Sequence, residues 1–267
     1  MRMTRQQIER MIRYEDAEVL VVHKPPFLAV ETRDARQQDL VSILINRRVA
    51  NGEAAFIGVV HRLDQPVEGL MVLAKTKRAA ASLSAGLREG DFSKEYLAVV
   101  CGVTGESGTL VHTLKKDGTS NTSAVVPTGT DGGKEARLMF ERLEVTGTAS
   151  LLRIRLDTGR HHQIRVQLAA IGHPLLGDAK YGRNADTCRE TDVKRAKIEE
   201  EKAEVNRHGE KMMVGTTKDQ GTRRQTAKPL ALCSCRLVFT HPRTGEMMEF
   251  QTTPTGAGFE EWKGALG

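Results

Sequence analysis

Residues Val59 to Thr76 read VVHRLDQPVEGLMVLAKT. An apolar pair leads into His61 and Arg62, Asp64 follows, and a second apolar run, Leu70 to Ala74, comes after a loop holding Pro66 and Gly69. Two short β-rich runs around such a loop predict a rigid scaffold that presents the loop side chains. A carboxylate held there can act as a nucleophile. An arginine two residues earlier can hold a phosphate or fill the gap left by a displaced base. Arg-Leu-Asp alone is also the sequence of a solvated ion pair on a hairpin, so its meaning depends on the rest of the chain.

Working outward, strand signals outnumber helix signals. Glu18 to Lys24, Leu70 to Ala74, Glu95 to Cys101, Ser123 to Pro127, Arg137 to Val145, Leu151 to Leu156 and Leu230 to Thr240 all read as β. In the sixth, Leu152, Ile154 and Leu156 alternate with Arg153 and Arg155, giving one buried and one basic face. The turn residues Pro242 to Gly245 predict a closing hairpin. Helices are predicted over Asp39–Val49, over Lys77–Arg88 with Thr76 as cap and Gly90 beyond its end, and over His162–Ile171 with Ile164, Leu168 and Ile171 inward. Few helices, not alternating regularly with the strands, predict an α+β fold on a mainly antiparallel sheet.

A second informative stretch is Asp157 to Gly182, DTGRHHQIRVQLAAIGHPLLGDAKYG. A strand ends, a glycine turn follows, and a helix opens at His161, His162 and Gln163. Backbone N–H groups at that helix start, with Arg160, make a candidate phosphate site. Arg165, in the first turn, is near enough to reach a site at the strand end. Neighbouring helical positions point about 100° apart, so the two histidines do not converge as metal ligands, and no metal is expected.

These blocks resemble the RluA family of RNA pseudouridine synthases. His61-Arg62-Leu63-Asp64 matches its central motif, and Thr158-Gly159-Arg160, His162-Gln163-Ile164-Arg165, Leu168, Gly172, Pro174, Gly177-Asp178 and Tyr181-Gly182 match its third. Lys94-Glu95-Tyr96-Leu97-Ala98 matches the intervening strand, Lys24-Pro25 the opening one, and Phe239-Thr240-His241-Pro242 the closing one. The resemblance implies a pseudouridine synthase fold: a bent, mainly antiparallel mixed sheet with flanking helices and a central active-site cleft. It implies a catalytic set of Asp64, Tyr96 and Arg165, and RNA contacts through His61, Arg62, Lys94, Arg160, His162 and Gln163. Structured ribosomal or transfer RNA is the expected partner, a monomer the expected state, and no cofactor is required. The loop departs from the family at Gln65-Pro66-Val67-Glu68-Gly69, where Thr-Ser-Gly is common, and Pro26-Phe27 replaces a small residue and glycine. Glu68 is expected to weaken attraction for RNA.

The resemblance places an N-terminal extension at 1–13 and a catalytic domain at 14–267, with no room for an S4-type RNA-binding module. Arg183 to Lys228 is dense in both charge signs and reads as a charged surface insertion. Net charge +6 over 267 residues suits a polyanionic partner, while 4% aromatics argue against extensive base stacking. The four cysteines show no disulfide or zinc spacing, and neither a secretory signal nor an apolar run long enough to span a membrane is evident, so a cytoplasmic protein is expected. Two rivals remain at this stage. A nucleoside or glycoside hydrolase would need a second carboxylate, formally Glu68 or Asp178. A non-catalytic RNA-binding protein would need none of Asp64, Tyr96 and Arg165.

Overall fold

The computed structural model describes residues 3–34, 36–182 and 229–266. The charged segment expected at 183–228 lies outside the described residues. In chain order the elements are α1 (Arg5–Met11), β1 (Ile12–Glu15), β2 (Val19–Lys24), α2 (Leu40–Ala50), β3 (Gly58–Val59) and β4 (Glu68–Ala74). Then come α3 (Lys77–Glu89), β5 (Ser93–Cys101), β6 (Ser107–Asp117), β7 (Thr122–Val126) and β8 (Lys134–Thr146). β9 (Ala149–Leu156), α4 (Gln163–Ala170), β10 (Leu232–Thr240), β11 (Met247–Gln251) and a 3-10 helix (Ala257–Ala265) complete the set.

All described strands join one mixed sheet in the order β1-β2-β4-β10-β5-β9-β8-β6-β7, with β3 on β4 and β11 on β10. Every ladder is antiparallel except β4 with β10, which run parallel through only two pairs, Glu68 with Cys233 and Gly69 with Ser234. That short ladder is a seam between two antiparallel halves. Gly69 permits it: at φ 123° a Cβ would lie 2.4 Å from the Ser234 carbonyl oxygen. A bulge between Ser234 and Arg236 bends β10 directly after the seam.

The largest core lies under one face of the sheet, where Leu20, Val22, Met71, Leu73, Ala98 and Leu152 meet Leu40 and Leu44 of α2 and Ile164 and Leu168 of α4. On the opposite face, α3 buries Ala79 and Leu83 against Val21, Leu70 and Val72, and the 3-10 helix buries Phe259 and Trp262 against Leu97, Val99 and Cys233. Each fully buried Val, Leu, Ile, Phe or Met among them contributes roughly 1.5 to 3 kcal/mol. The helix signals held because they are local. Asp39 accepts from Ser42 N–H, Thr76 caps α3, and Gly90 ends it at φ 92°. Ile171, expected inward, is exposed, because α4 has already ended at Ala170.

Two other expectations change. Residues 3–13 are part of the body: α1 buries Met11, Ile8 packs on the main core, and Glu9 pairs with Arg47 of α2. Cys101 is disulfide-bonded, which the cysteine spacing did not reveal. Among the described residues, no helix is long and apolar enough to cross a membrane.

Candidate active site

Asp64 sits on the loop between β3 and β4, beside the seam. Leu63 and Val67 on either side are buried in the main core, and Val67 N–H closes a turn onto the Asp64 carbonyl. The loop is also held from below. Lys24, fully buried at the end of β2, donates from Nζ to the carbonyls of Pro25 (3.0 Å), Leu28 (2.9 Å) and Gln65 (3.1 Å). Burial pushes its pKa down to about 7, opposed by the charges of Asp64 and Glu68. The sequence signal for Lys24 is a lysine closing a strand that opens with four apolar residues, Val19 to Val22.

Arg165 reaches Asp64 from α4 across the site, with Nη1 3.0 Å from Oδ2. Its other nitrogens make a two-pronged pair with Asp178, Nε to Oδ2 and Nη2 to Oδ1, both at 2.8 Å. Asp178 also accepts the Lys180 and Tyr181 N–H groups. Arg165 therefore bridges a fixed carboxylate and a partly exposed one, and the fixed one orients it. Its guanidinium lies 5.2 Å from the Tyr181 ring centre. Burial alone would raise the Asp178 carboxyl, but Arg165 and the two N–H groups hold it below its ordinary value.

Tyr96, on β5 opposite Ser234, is buried in the main core, and burial followed by the Asp64 charge raises its phenol well above the ordinary range. His162 is also buried, its Nε2 3.4 Å from Asp64 Oδ2. Burial, partly offset by Asp64, lowers its pKa to about 4, so the ring is neutral at pH 7. Arg165 and His162 are thus brought onto Asp64, and Tyr96 is near enough to feel its charge.

The remaining expected RNA contacts divide. Arg62 and Arg160 are exposed, Arg160 with Nε on the Glu135 carbonyl. Gln163 is turned inward instead. Its Oε1 accepts from Thr158 Oγ and Arg160 N–H, and its Nε2 donates to the Arg137 carbonyl. Gln163 N–H is itself engaged by the Arg160 carbonyl, so two donors expected to hold phosphate are already occupied. His61 is not brought to Asp64. Its Nε2 accepts Val72 N–H, its ring meets Phe92 edge-on, and burial and then the Lys94 charge lower its pKa to about 3. Lys94, half-buried, has its own pKa lowered by burial.

Glu68 is not exposed on the loop. It is buried and accepts from Thr255 N–H (3.1 Å), Thr255 Oγ (2.7 Å) and Gly256 N–H (2.8 Å), which ties the C-terminal segment to the seam. Where the loop departure suggested an exposed acid, its carboxylate is instead engaged by donors 187 and 188 residues away.

A family model described as RNA pseudouridylate synthase matches residues 18–170. Ribosomal large subunit pseudouridine synthase D of Pasteurella multocida is 34% identical over 255 residues, covering 95% of this chain and 69% of that protein. The chain belongs to the RNA pseudouridylate synthase family. The same-named protein of Pseudomonas aeruginosa is 38% identical over 178 residues, covering 66% of this chain and 55% of that one. Human RNA Pseudouridylate Synthase Domain Containing 4 shares the pseudouridine synthase fold, with TM-score 0.68 at 21% identity, covering 94% of this chain and 91% of that one. This chain spans between 55% and 69% of the length of these two bacterial synthases.

Proposed function

We propose that this pseudouridine synthase isomerises uridine in structured ribosomal RNA, with Asp64 as the nucleophile. The observation that carries the reading is a partly exposed carboxylate, Asp64, gripped on one oxygen by a buried arginine that a second carboxylate holds in place. The names of the bacterial relatives favour large-subunit RNA over transfer RNA.

The target uridine leaves its stack, at a cost of a few kcal/mol, and exposed Arg62 fills the gap. Arg160 meets the backbone. The Asp64 carboxylate forms a bond to ribose C1′ as the N1–C1′ bond breaks, its electron pair leaving with uracil. Uracil turns in place. Its C5 then bonds to C1′ and displaces the carboxylate, C5 loses its proton to a base, and N1 gains one. Tyr96, a phenol at neutral pH, gives its proton to N1 and, as the phenolate so formed, is the base that takes the proton from C5, so that it ends the turnover as it began. Atoms balance without any group from outside.

The hydrolytic rival is disfavoured because both formal second carboxylates are committed, Asp178 to Arg165 and Glu68 to Thr255 and Gly256. The test is a pseudouridine map of total RNA from cells with the gene, without it, and with Asp64→Asn. Loss of particular sites, restored by wild type alone, is expected. Full restoration by Asp64→Asn would refute the nucleophile, and an unchanged map in cells lacking the gene would refute the activity.

A further inference from the structure

His162 stands at the N-cap of α4 with φ 54°, in the left-handed region, and its side chain does no capping. Such strain in a non-glycine residue persists only where the surroundings enforce it. Here the ring is fixed on three sides. Its Nδ1 lies 2.7 Å from the Tyr181 hydroxyl, its Nε2 3.4 Å from Asp64 Oδ2, and its face 3.8 Å from the His161 ring centre at an interplanar angle of 25°.

The hydrogen-bond chain decides which nitrogen carries the proton. The Tyr181 oxygen already accepts Ser123 N–H at 2.8 Å. Sending the phenol's one proton to His162 Nδ1 satisfies both atoms and leaves the ring proton on Nε2, aimed at Asp64. His161 is fixed the same way: its Nε2 faces the Asn121 amide oxygen at 3.1 Å, and its Nδ1 faces Ser123 Oγ at 2.9 Å. Burial lowers both imidazoles, so two neutral rings stack.

Arg165 Nη1 and His162 Nε2 converge on the same oxygen of Asp64, Oδ2. Among the described residues, no hydrogen bond is made to Oδ1. We infer that His162 is a positioning residue for Asp64: Tyr181 locks its ring as the Nε2–H tautomer, and with Arg165 it pins Oδ2 so that Oδ1 is the attacking oxygen. The inference rests on Asp64 being the nucleophile. At 3.4 Å the contact is long for a hydrogen bond, as such contacts often are before substrate binds. When Oδ1 bonds to C1′, Oδ2 becomes the carbonyl oxygen of an ester and can keep both donors. A neutral N–H suits this position, since an imidazolium could protonate the carboxylate and silence it. His162, expected as an RNA contact, thus belongs to the reacting centre.

Two measurements test this on the full chain. Nitrogen NMR of histidine-labelled protein should show His162 Nδ1 unprotonated and Nε2 protonated, and Tyr181→Phe should mix the tautomers. Single-turnover assays use total RNA from cells lacking the gene. His162→Ala should slow conversion roughly 10- to 100-fold while RNA affinity stays within about twofold, because affinity rests on phosphate contacts. His162→Gln, which can place an amide N–H near Nε2, should recover most of the rate. Wild-type rate in His162→Ala, a loss confined to affinity, failure of rescue by His162→Gln, or a ring protonated on Nδ1 would each overturn the positioning role. If Asp64→Asn is inactive in the same assay, only that role falls. If Asp64→Asn converts RNA at the wild-type rate, the nucleophile reading falls with it. If His162→Ala does not fold, the tautomer measurement and the rates of His162→Gln and Tyr181→Phe decide.

Discussion

Replacing Lys24 by methionine removes a buried ammonium while nearly keeping the length of the side chain. The wild-type ammonium has a pKa of about 7 in the folded protein, against about 10.4 in an unfolded chain. Between those values the unfolded state binds more protons, so stability rises with pH. The contribution is fully present above the unfolded value and is lost as pH falls through the folded one. A pKa of about 7 corresponds to ~2 kcal/mol gained between about pH 7 and pH 9. Lys24→Met leaves the carbonyls of Pro25, Leu28 and Gln65 without their donor, at roughly 1.5 to 3 kcal/mol each. It also removes a desolvation burden of about 5 kcal/mol, so the net cost at neutral pH runs from about zero to about 4 kcal/mol, and the slope is the cleaner readout. Urea unfolding across pH 7 to 9 should therefore show wild type gaining on the variant by ~2 kcal/mol. Conversion of RNA should fall in Lys24→Met even where stabilities match, because the Gln65 carbonyl next to Asp64 is no longer held. Parallel pH curves would refute the argument, since Lys24 would then be fully charged at neutral pH.

Three further outcomes are expected. Gly69→Ala places a Cβ 2.4 Å from the Ser234 carbonyl oxygen at φ 123°, and should cost roughly 3 kcal/mol or more. A melting temperature within a few degrees of wild type would count against the seam. Glu68→Gln weakens the bonds to Thr255 and Gly256 at about 1 to 3 kcal/mol and leaves RNA affinity unchanged. Burial would raise the Glu68 carboxyl, but His23, Thr255 and Gly256 together hold it below its ordinary value, so the wild-type advantage exists above that value and disappears as pH falls through the folded one; an advantage undiminished in acid would contradict this. Tyr96→Phe should still break the glycosidic bond, seen as aniline-induced strand scission after a quenched turnover, yet release little tritium from C5-labelled uridine. Normal tritium release would remove Tyr96 from the final proton step.

What the sequence disclosed depended on the range of the interaction. Caps at Asp39, Thr76 and Gly90 act within one turn, so α2 and α3 were legible to within a residue or two. β6 was missed because most of Ser107–Asp117 is exposed or half-buried and carries no apolar alternation to read. The pairing of Asp64 with Arg165 followed from ordered motifs, and no local pattern shows two residues 101 apart meeting. Directions of side chains were harder. Gln163 and His162 are neighbours at one helix start, yet one binds the backbone and the other turns to Asp64, a choice made by the left-handed backbone at His162. Glu68 looked like a surface acid because its donors come from the far end of the chain.

The place of β10 has a consequence for synthesis. It lies between β4 and β5, and it is the next described strand after β9, beyond the charged segment. On the ribosome, both halves of the sheet emerge with their inner edges unpaired, and they wait for residues 232–240 before they can close. The strand that joins Glu68 and Gly69 to Tyr96 emerges after every residue of the reacting centre, so the site closes late in synthesis.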